Sequence, residues 1–121
     1  MTTRVLTVDD SKTMRDMLAM TLRTAGYDVL QAENGQEGLD VLGSDLVDVI
    51  ITDLNMPVMD GFTFIEKLRE TDAHAATPIL IVTTECHDEK KKRGRAAGAT
   101  GWIVKPFDPA KLIEVVRKVS P

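Results

Sequence analysis

Short apolar runs alternate with longer, mostly polar stretches along the chain. The runs cover residues 5–8, 29–32, 47–51, 79–82 and 102–104. Three of them are almost continuously apolar, which is typical of strands that are covered on both faces in a parallel sheet. We therefore predict five β-strands, of which the last is short.

Apolar residues at helical spacing predict four helices, and a polar stretch predicts a further one, so that one helix follows each strand. Ser11 is the expected N-cap of the first helix, and Gly26 is its expected stop. The other helices are indicated by Leu39 and Leu42, by Phe64 and Leu68, by the polar stretch 88–97, and by Leu112 and Val116 after Pro109. Regular alternation of strands and helices predicts an α/β fold with a doubly wound parallel sheet and helices on both faces.

Length and composition limit the functions that need to be considered. The 121 residues, 43% of them hydrophobic and 28% charged, predict one domain over 1–121 and argue against disorder. A net charge of −4 excludes a generally basic protein, so we expect no nucleic-acid or membrane partner. The single cysteine, Cys86, cannot form an internal disulfide, and no stretch has the length of a membrane span. We expect a soluble cytoplasmic protein.

Polar side chains stand where the predicted strands end. The first run ends in Asp9 and Asp10, the third in Asp53, the fourth in Thr83 and the fifth in Lys105. Ligands of open α/β sheets bind beyond the carboxyl ends of the strands. We therefore expect these side chains to share one edge of the sheet.

Three carboxylates at one edge need a positive counterpart. Two unit charges about 5 Å apart repel by roughly 3 kcal/mol at an effective dielectric constant of about 20. Mg²⁺ prefers carboxylates, waters and phosphate oxygens, and together with Lys105 it would balance three negative charges. A metal and phosphate site is the functional hypothesis. The alternatives are that Asp9 or Asp10 only caps a helix and that Lys105 is a solvated lysine in a turn.

Short motifs are spread over the chain in segments 8–11, 13–15, 53–57, 59–61, 82–83 and 104–107. In these segments the chain resembles the receiver domains of bacterial two-component response regulators, in particular the single-domain, CheY-like regulators of chemotaxis. The resemblance implies a flavodoxin-like sheet of order 2-1-3-4-5, which is known for this family. The 121 residues leave no room for an attached effector domain, so we expect a stand-alone receiver.

The resemblance assigns a role to each acidic residue. Asp53 is the implied phosphoacceptor. Asp10 and Asp53 are the implied direct ligands of Mg²⁺, Asp9 is expected to act through a bound water, and the backbone carbonyl of Asn55 is expected to supply a further ligand. The hydroxyl of Thr83 is expected to bond a phosphoryl oxygen.

Further roles concern Lys105 and the switch. Lys105 is expected to pair with the phosphoryl group, and the Lys105–Pro106 peptide bond is expected to be cis. Trp102 stands where the family usually has a smaller aromatic residue that rotates inward on activation; a partly buried core tryptophan is the alternative. Thr84 is expected to restrict access to the phosphoryl group.

Asn55 and Glu85 occupy positions that tune dephosphorylation in the family. The implied function is acceptance of a phosphoryl group from a CheA-like sensor histidine kinase. A changed face of the fourth helix, fifth strand and fifth helix would then control a partner such as the flagellar motor switch, and hence flagellar rotation. We expect a monomeric phosphoprotein without independent substrate turnover. A phosphate sink, a phosphorelay intermediate and a cell-cycle regulator are alternatives within the family.

A phosphatase similar to the haloacid dehalogenases is a more distant alternative. Such enzymes place a second aspartate two residues after the nucleophile, where this chain has Asn55. An amide cannot serve as the general acid and base, which argues against this alternative. The basic residues 90–93 and Arg95 form either a solvated helix face or a contact for an acidic partner.

Overall fold

The computed structural model describes residues 2–121 and contains one parallel sheet of five strands in the order β2-β1-β3-β4-β5. The strands are β1 (Arg4–Val8), β2 (Asp28–Ala32), β3 (Val49–Thr52), β4 (Ile79–Thr83) and β5 (Gly101–Val104). All neighbouring strands pair in parallel. The predicted fold class and the strand order implied by the resemblance are confirmed.

Five helices cover the two faces of the sheet. They are α1 (Lys12–Thr24), α2 (Gly35–Leu42), α3 (Gly61–Arg69), α4 (Asp88–Ala97) and α5 (Pro109–Val119). The apolar sides of α1 and α5 share one core cluster with the sheet, and those of α2 and α3 share the other. Within the described residues, no helix combines the length and the apolar character that crossing a membrane requires.

Local signals set the ends of the helices where the sequence predicts them. The Ser11 hydroxyl accepts a hydrogen bond from the Met14 backbone N–H at 3.2 Å and so caps α1. Gly26 and Gly98 follow α1 and α4 with φ angles of 95° and 113°, which glycine adopts at low cost. Pro109 occupies the first turn of α5, where its missing N–H is not needed.

Candidate functional site

The register of the two central strands places Asp9 beside Asp53. Val8 at the end of β1 pairs with Thr52 at the end of β3. Asp9 and Asp53 are the next residues of their chains, and the backbone N–H of Asp53 donates to the Val8 carbonyl at 3.0 Å. Both carboxylates therefore leave the sheet at the same edge, as predicted.

The register of β4 and β5 brings Lys105 to this edge. Thr83 pairs with Val104, and the backbone N–H of Lys105 donates to the Thr83 carbonyl at 2.7 Å. The Lys105–Pro106 peptide bond is cis, as the resemblance implies. Thr83 is fully buried, and its hydroxyl oxygen accepts a hydrogen bond from the Glu85 backbone N–H at 3.3 Å.

The carboxylates of Asp9, Asp10 and Asp53 form one cluster. One oxygen of each lies within 4.8 Å of those of the other two. Asp9 exposes only 1% of its surface and Asp53 9%, whereas Asp10 faces solvent. Hard oxygen donors at this spacing, partly open to water, suit a divalent cation such as Mg²⁺. The donor set therefore fits the metal that the sequence predicts.

Lys105 bridges the two buried members of the cluster. Its Nζ atom lies 2.7 Å from Asp9 Oδ2 and 2.8 Å from Asp53 Oδ2. Burial disfavours the ammonium form, but hydrogen bonds and charge attraction from Asp53 and Asp9 outweigh it and raise the pKa of Lys105. The lysine is therefore a fixed positive charge facing the acidic cluster, and a solvated lysine in a turn is excluded as its role.

Backbone contacts hold the Asp53 side chain in place. Asp53 Oδ1 accepts a hydrogen bond from the Leu54 backbone N–H at 2.6 Å, while Oδ2 faces Lys105. Gly61 packs so closely against this segment that a Cβ atom there would overlap the Asp53 carbonyl oxygen. Its N–H donates to the Leu54 carbonyl at 2.9 Å. The glycine thus allows α3 to begin directly behind the acidic cluster.

Asp9 is anchored from α1. Its Oδ1 accepts a hydrogen bond from the Ser11 backbone N–H at 2.9 Å, so Ser11, and not Asp9 or Asp10, is the N-cap of the helix. Arg15 donates from Nη1 to the Asp9 carbonyl at 2.8 Å. No role was predicted for Arg15 from the sequence. Its position one turn inside α1, after a strand-end acid, is the signal that could have indicated this contact.

The residues expected to tune the site lie on two neighbouring loops. Thr84 and Asn55 are exposed, and Glu85 is half-buried. Trp102 on β5 is half-buried as well, and its indole N–H donates to the Glu85 carbonyl at 3.0 Å. Sequence reasoning missed this bond, although a partly buried indole usually finds an acceptor for its single donor. The bond ties β5 to the loop that follows Thr83.

The chain is similar to known proteins over nearly its whole length. The family model for the response regulator receiver domain matches residues 5–117. A chemotaxis protein CheY homolog of Campylobacter jejuni is 42% identical over 96% of this chain and 91% of its own. The structure of the chemotaxis protein CheY4 of Vibrio cholerae superposes with a TM-score of 0.95 at 47% identity, covering 98% of this chain and 99% of that one. The sensor histidine kinase CheAY of Helicobacter pylori is 36% identical over 94% of this chain but only 14% of its own.

Proposed function

The chain belongs to the response regulator receiver domain family, and we propose on that basis that it accepts a phosphoryl group on Asp53 from a sensor histidine kinase. One observation carries the proposal. Asp53 Oδ2 lies 2.8 Å from Lys105 Nζ, inside a cluster with two further carboxylates. An ionised oxygen beside a fixed cation is suited to attack a phosphorus atom that is already activated.

The transfer exchanges one bond to phosphorus for another. An oxygen of Asp53 bonds to phosphorus while the bond from phosphorus to the donor's imidazole nitrogen breaks, and that nitrogen keeps the electron pair. Negative charge spreads over the three equatorial oxygens in the transition state. We assign the stabilisation of that charge to the Lys105 ammonium and to the Thr83 hydroxyl, which both lie at this edge of the sheet.

Asp9, Asp10, Asp53 and the backbone carbonyl of Asn55 are the groups that would hold Mg²⁺. Lys105 offsets one of the three negative charges of the cluster, and two remain. When bound, the ion supplies two positive charges that balance the two remaining negative ones, and it offers a ligand position for a phosphoryl oxygen. Lys105 and the Leu54 backbone N–H orient the two carboxylate oxygens of Asp53, and Gly61 packs against the backbone behind them.

The phosphorylated form controls another protein by contact. Phosphorylation changes the charge of the Asp53 side chain from −1 to about −2 and adds acceptor oxygens. A shift of Thr83 toward these oxygens would disturb the loop to Glu85, whose carbonyl binds the Trp102 indole. The face formed by α4, β5 and α5 is then the output surface. The chemotaxis names of the relatives favour a flagellar motor switch protein as the target, and the cytoplasm as the location.

Phosphoryl uptake is testable with the whole protein. The test compares wild type, Asp53→Asn and Asp16→Asn after incubation with Mg²⁺ and acetyl phosphate. Intact-mass spectrometry measures the mass that each protein has gained. Asp16 is the matched control, because its carboxylate is exposed on α1 and pairs with Lys12. We expect one added phosphoryl group in wild type and Asp16→Asn and none in Asp53→Asn. Uptake by Asp53→Asn, or no uptake by wild type, contradicts the proposal. Multiple turnovers on a small phosphoester would instead favour a phosphatase.

A further inference from the structure

Helix α4 has little apolar surface with which to pack on the protein. Its sequence contains five lysines and arginines, and Gly94 is its only buried residue. His87 at its N-cap makes no capping side-chain hydrogen bond. Since most helical stability in proteins comes from packing of an apolar face, other contacts must hold α4 in place.

Two such contacts involve the middle and the end of the helix. A Cβ atom at position 94 would come to 3.0 Å from side-chain atoms of both Ile81 and Trp102, so Gly94 rests directly on them. The guanidinium of Arg69 on α3 donates to the Gly98 carbonyl at 2.7 and 3.0 Å. Neither contact reaches the acidic cluster.

A third contact of α4 lies nearest to the loop that follows Asp53. The ring of Phe62 faces two cations of α4, with the Arg93 guanidinium carbon 4.3 Å and the Lys90 Nζ 5.9 Å from the ring centroid. Within residues 2–121, no ion pair involves Arg93 or Lys90. The ring is therefore the attractive partner that the structure gives these two cations.

Phe62 is itself fixed to the backbone around Asp53. Only 4% of its surface is exposed, and it follows Gly61, whose backbone rests on Asp53 and Leu54. A displacement of the Asp53 backbone would thus move the first turn of α3, and with it the ring on which α4 rests. This contact runs on the α3 side and uses neither Thr83 nor Trp102.

We propose that Phe62 is a positioning residue that fixes α4 relative to the Asp53 loop through the cation–π contact of its ring with Arg93 and Lys90. Its meaning for signalling rests on the proposed function, because α4 belongs to the proposed output surface. The basic run of α4 is accordingly not a purely solvated face. Arg93 and Lys90 hold the helix, whereas Lys92 is exposed and takes no part in the contact with the Phe62 ring.

Hydrogen exchange of the α4 amides tests the contact directly in the unphosphorylated protein. The variants are Phe62→Leu, Arg93→Gln, their combination, Arg93→Lys and the charge-matched control Lys92→Gln. Loss of a cation–π contact should speed exchange in α4 about fivefold in either single variant. The double variant should exchange no faster than Phe62→Leu, because Phe62→Leu by itself already removes the contact of the ring with Arg93. Arg93→Lys should keep much of the protection, and Lys92→Gln all of it.

The same samples test the link to the phosphoacceptor. Trp102 is the only tryptophan and lies against Gly94, so its fluorescence reports on α4. We expect acetyl phosphate with Mg²⁺ to change this fluorescence in wild type and Lys92→Gln, and to change it less in Phe62→Leu and Arg93→Gln. Intact mass shows in parallel whether phosphoryl uptake is equal.

Several results would overturn the inference. Exchange of the α4 amides could be unchanged in Arg93→Gln, or equally faster in Lys92→Gln. The effects of Phe62→Leu and Arg93→Gln on exchange could be strictly additive. The change in Trp102 fluorescence on phosphorylation could be as large in Phe62→Leu and Arg93→Gln as in wild type at equal phosphoryl uptake. Arg93→Gln keeps the test decisive if Phe62→Leu folds poorly, because Arg93 is exposed. Absence of phosphoryl uptake in wild type overturns the proposed function instead, and α4 exchange still decides whether the contact positions the helix.

Discussion

Lys105 Nζ and Asp53 Oδ2 lie 2.8 Å apart although 52 residues separate them in the sequence. The lysine also bonds Asp9, so one largely buried cation faces two largely buried carboxylates. Removing the lysine leaves buried negative charge without a counter-ion. This destabilises the fold by more than the intact ion pair stabilises it.

We therefore expect Lys105→Gln to lower the free energy of unfolding by about 3 kcal/mol in urea titrations without added metal. Mg²⁺ should recover part of that loss by replacing the missing positive charge. Lys12→Gln is the control, since Lys12 pairs with Asp16 at the surface and should contribute little. Equal free energies of unfolding for Lys105→Gln and wild type would contradict this prediction, because the three carboxylates would then need no cation beside them.

Val58 adopts a backbone conformation that β-branched residues rarely have. Its φ angle is 70°, and 81% of its surface is exposed, so apolar packing does not compensate for the strain. Asparagine adopts this conformation more readily, and Val58→Asn should raise the free energy of unfolding by about 1 kcal/mol. Val58→Ile keeps the branched Cβ and should bring no gain. Equal midpoints for the two variants in thermal unfolding would mean that position 58 stores no strain.

His74 makes the stability of the protein depend on pH. Burial lowers the pKa of its imidazole, and the positive charge of Arg69 lowers it further. Its Nε2 atom is buried and has no hydrogen-bond partner, while Nδ1 lies 3.0 Å from the Thr77 hydroxyl. Because the folded-state pKa lies below the unfolded value of 6.5, folding favours the neutral ring. The stability that this provides is present above pH 6.5 and is lost as the pH falls toward the folded-state pKa.

Urea titrations between pH 7 and about pH 5 measure this dependence. His74→Gln removes the titrating group and should flatten the loss of stability in that window. His87→Gln is the matched control, because His87 is exposed on the loop before α4. If His74→Gln and wild type lost stability in parallel, the imidazole would not be the group responsible.

Asn55 and Glu85 should control the lifetime of the acyl phosphate more than the stability of the fold. Asn55 is exposed two residues after Asp53, and Glu85 is half-buried two residues after Thr83. Neither belongs to the apolar core. Decay of the phosphorylated protein, followed by intact mass, should change severalfold in Asn55→Ala and Glu85→Ala, while unfolding midpoints shift little. Equal decay rates in wild type and both variants would contradict this expectation.

The meeting of the candidate site residues at one edge of the sheet could be predicted because their positions at strand ends are a local property. Apolar runs that end in Asp9, Asp53, Thr83 and Lys105 point to one edge of a parallel sheet, whatever the details of packing. Helix signals at Ser11, Gly26 and Pro109 act within one turn of the chain and were confirmed. Strand order was implied by the family resemblance, since periodicity does not distinguish one order of parallel strands from another.

Contacts between distant segments were decided only by the tertiary structure. The bond from Trp102 to Glu85, the ring of Phe62 beneath Arg93 and the burial of His74 depend on how separate elements pack. The sequence by itself determined which elements form and which chemical groups stand at the edge of the sheet, because those follow from periodicity and strand termini. Distances, burial and pairing of charges arise from packing across the sheet, which no local pattern encodes.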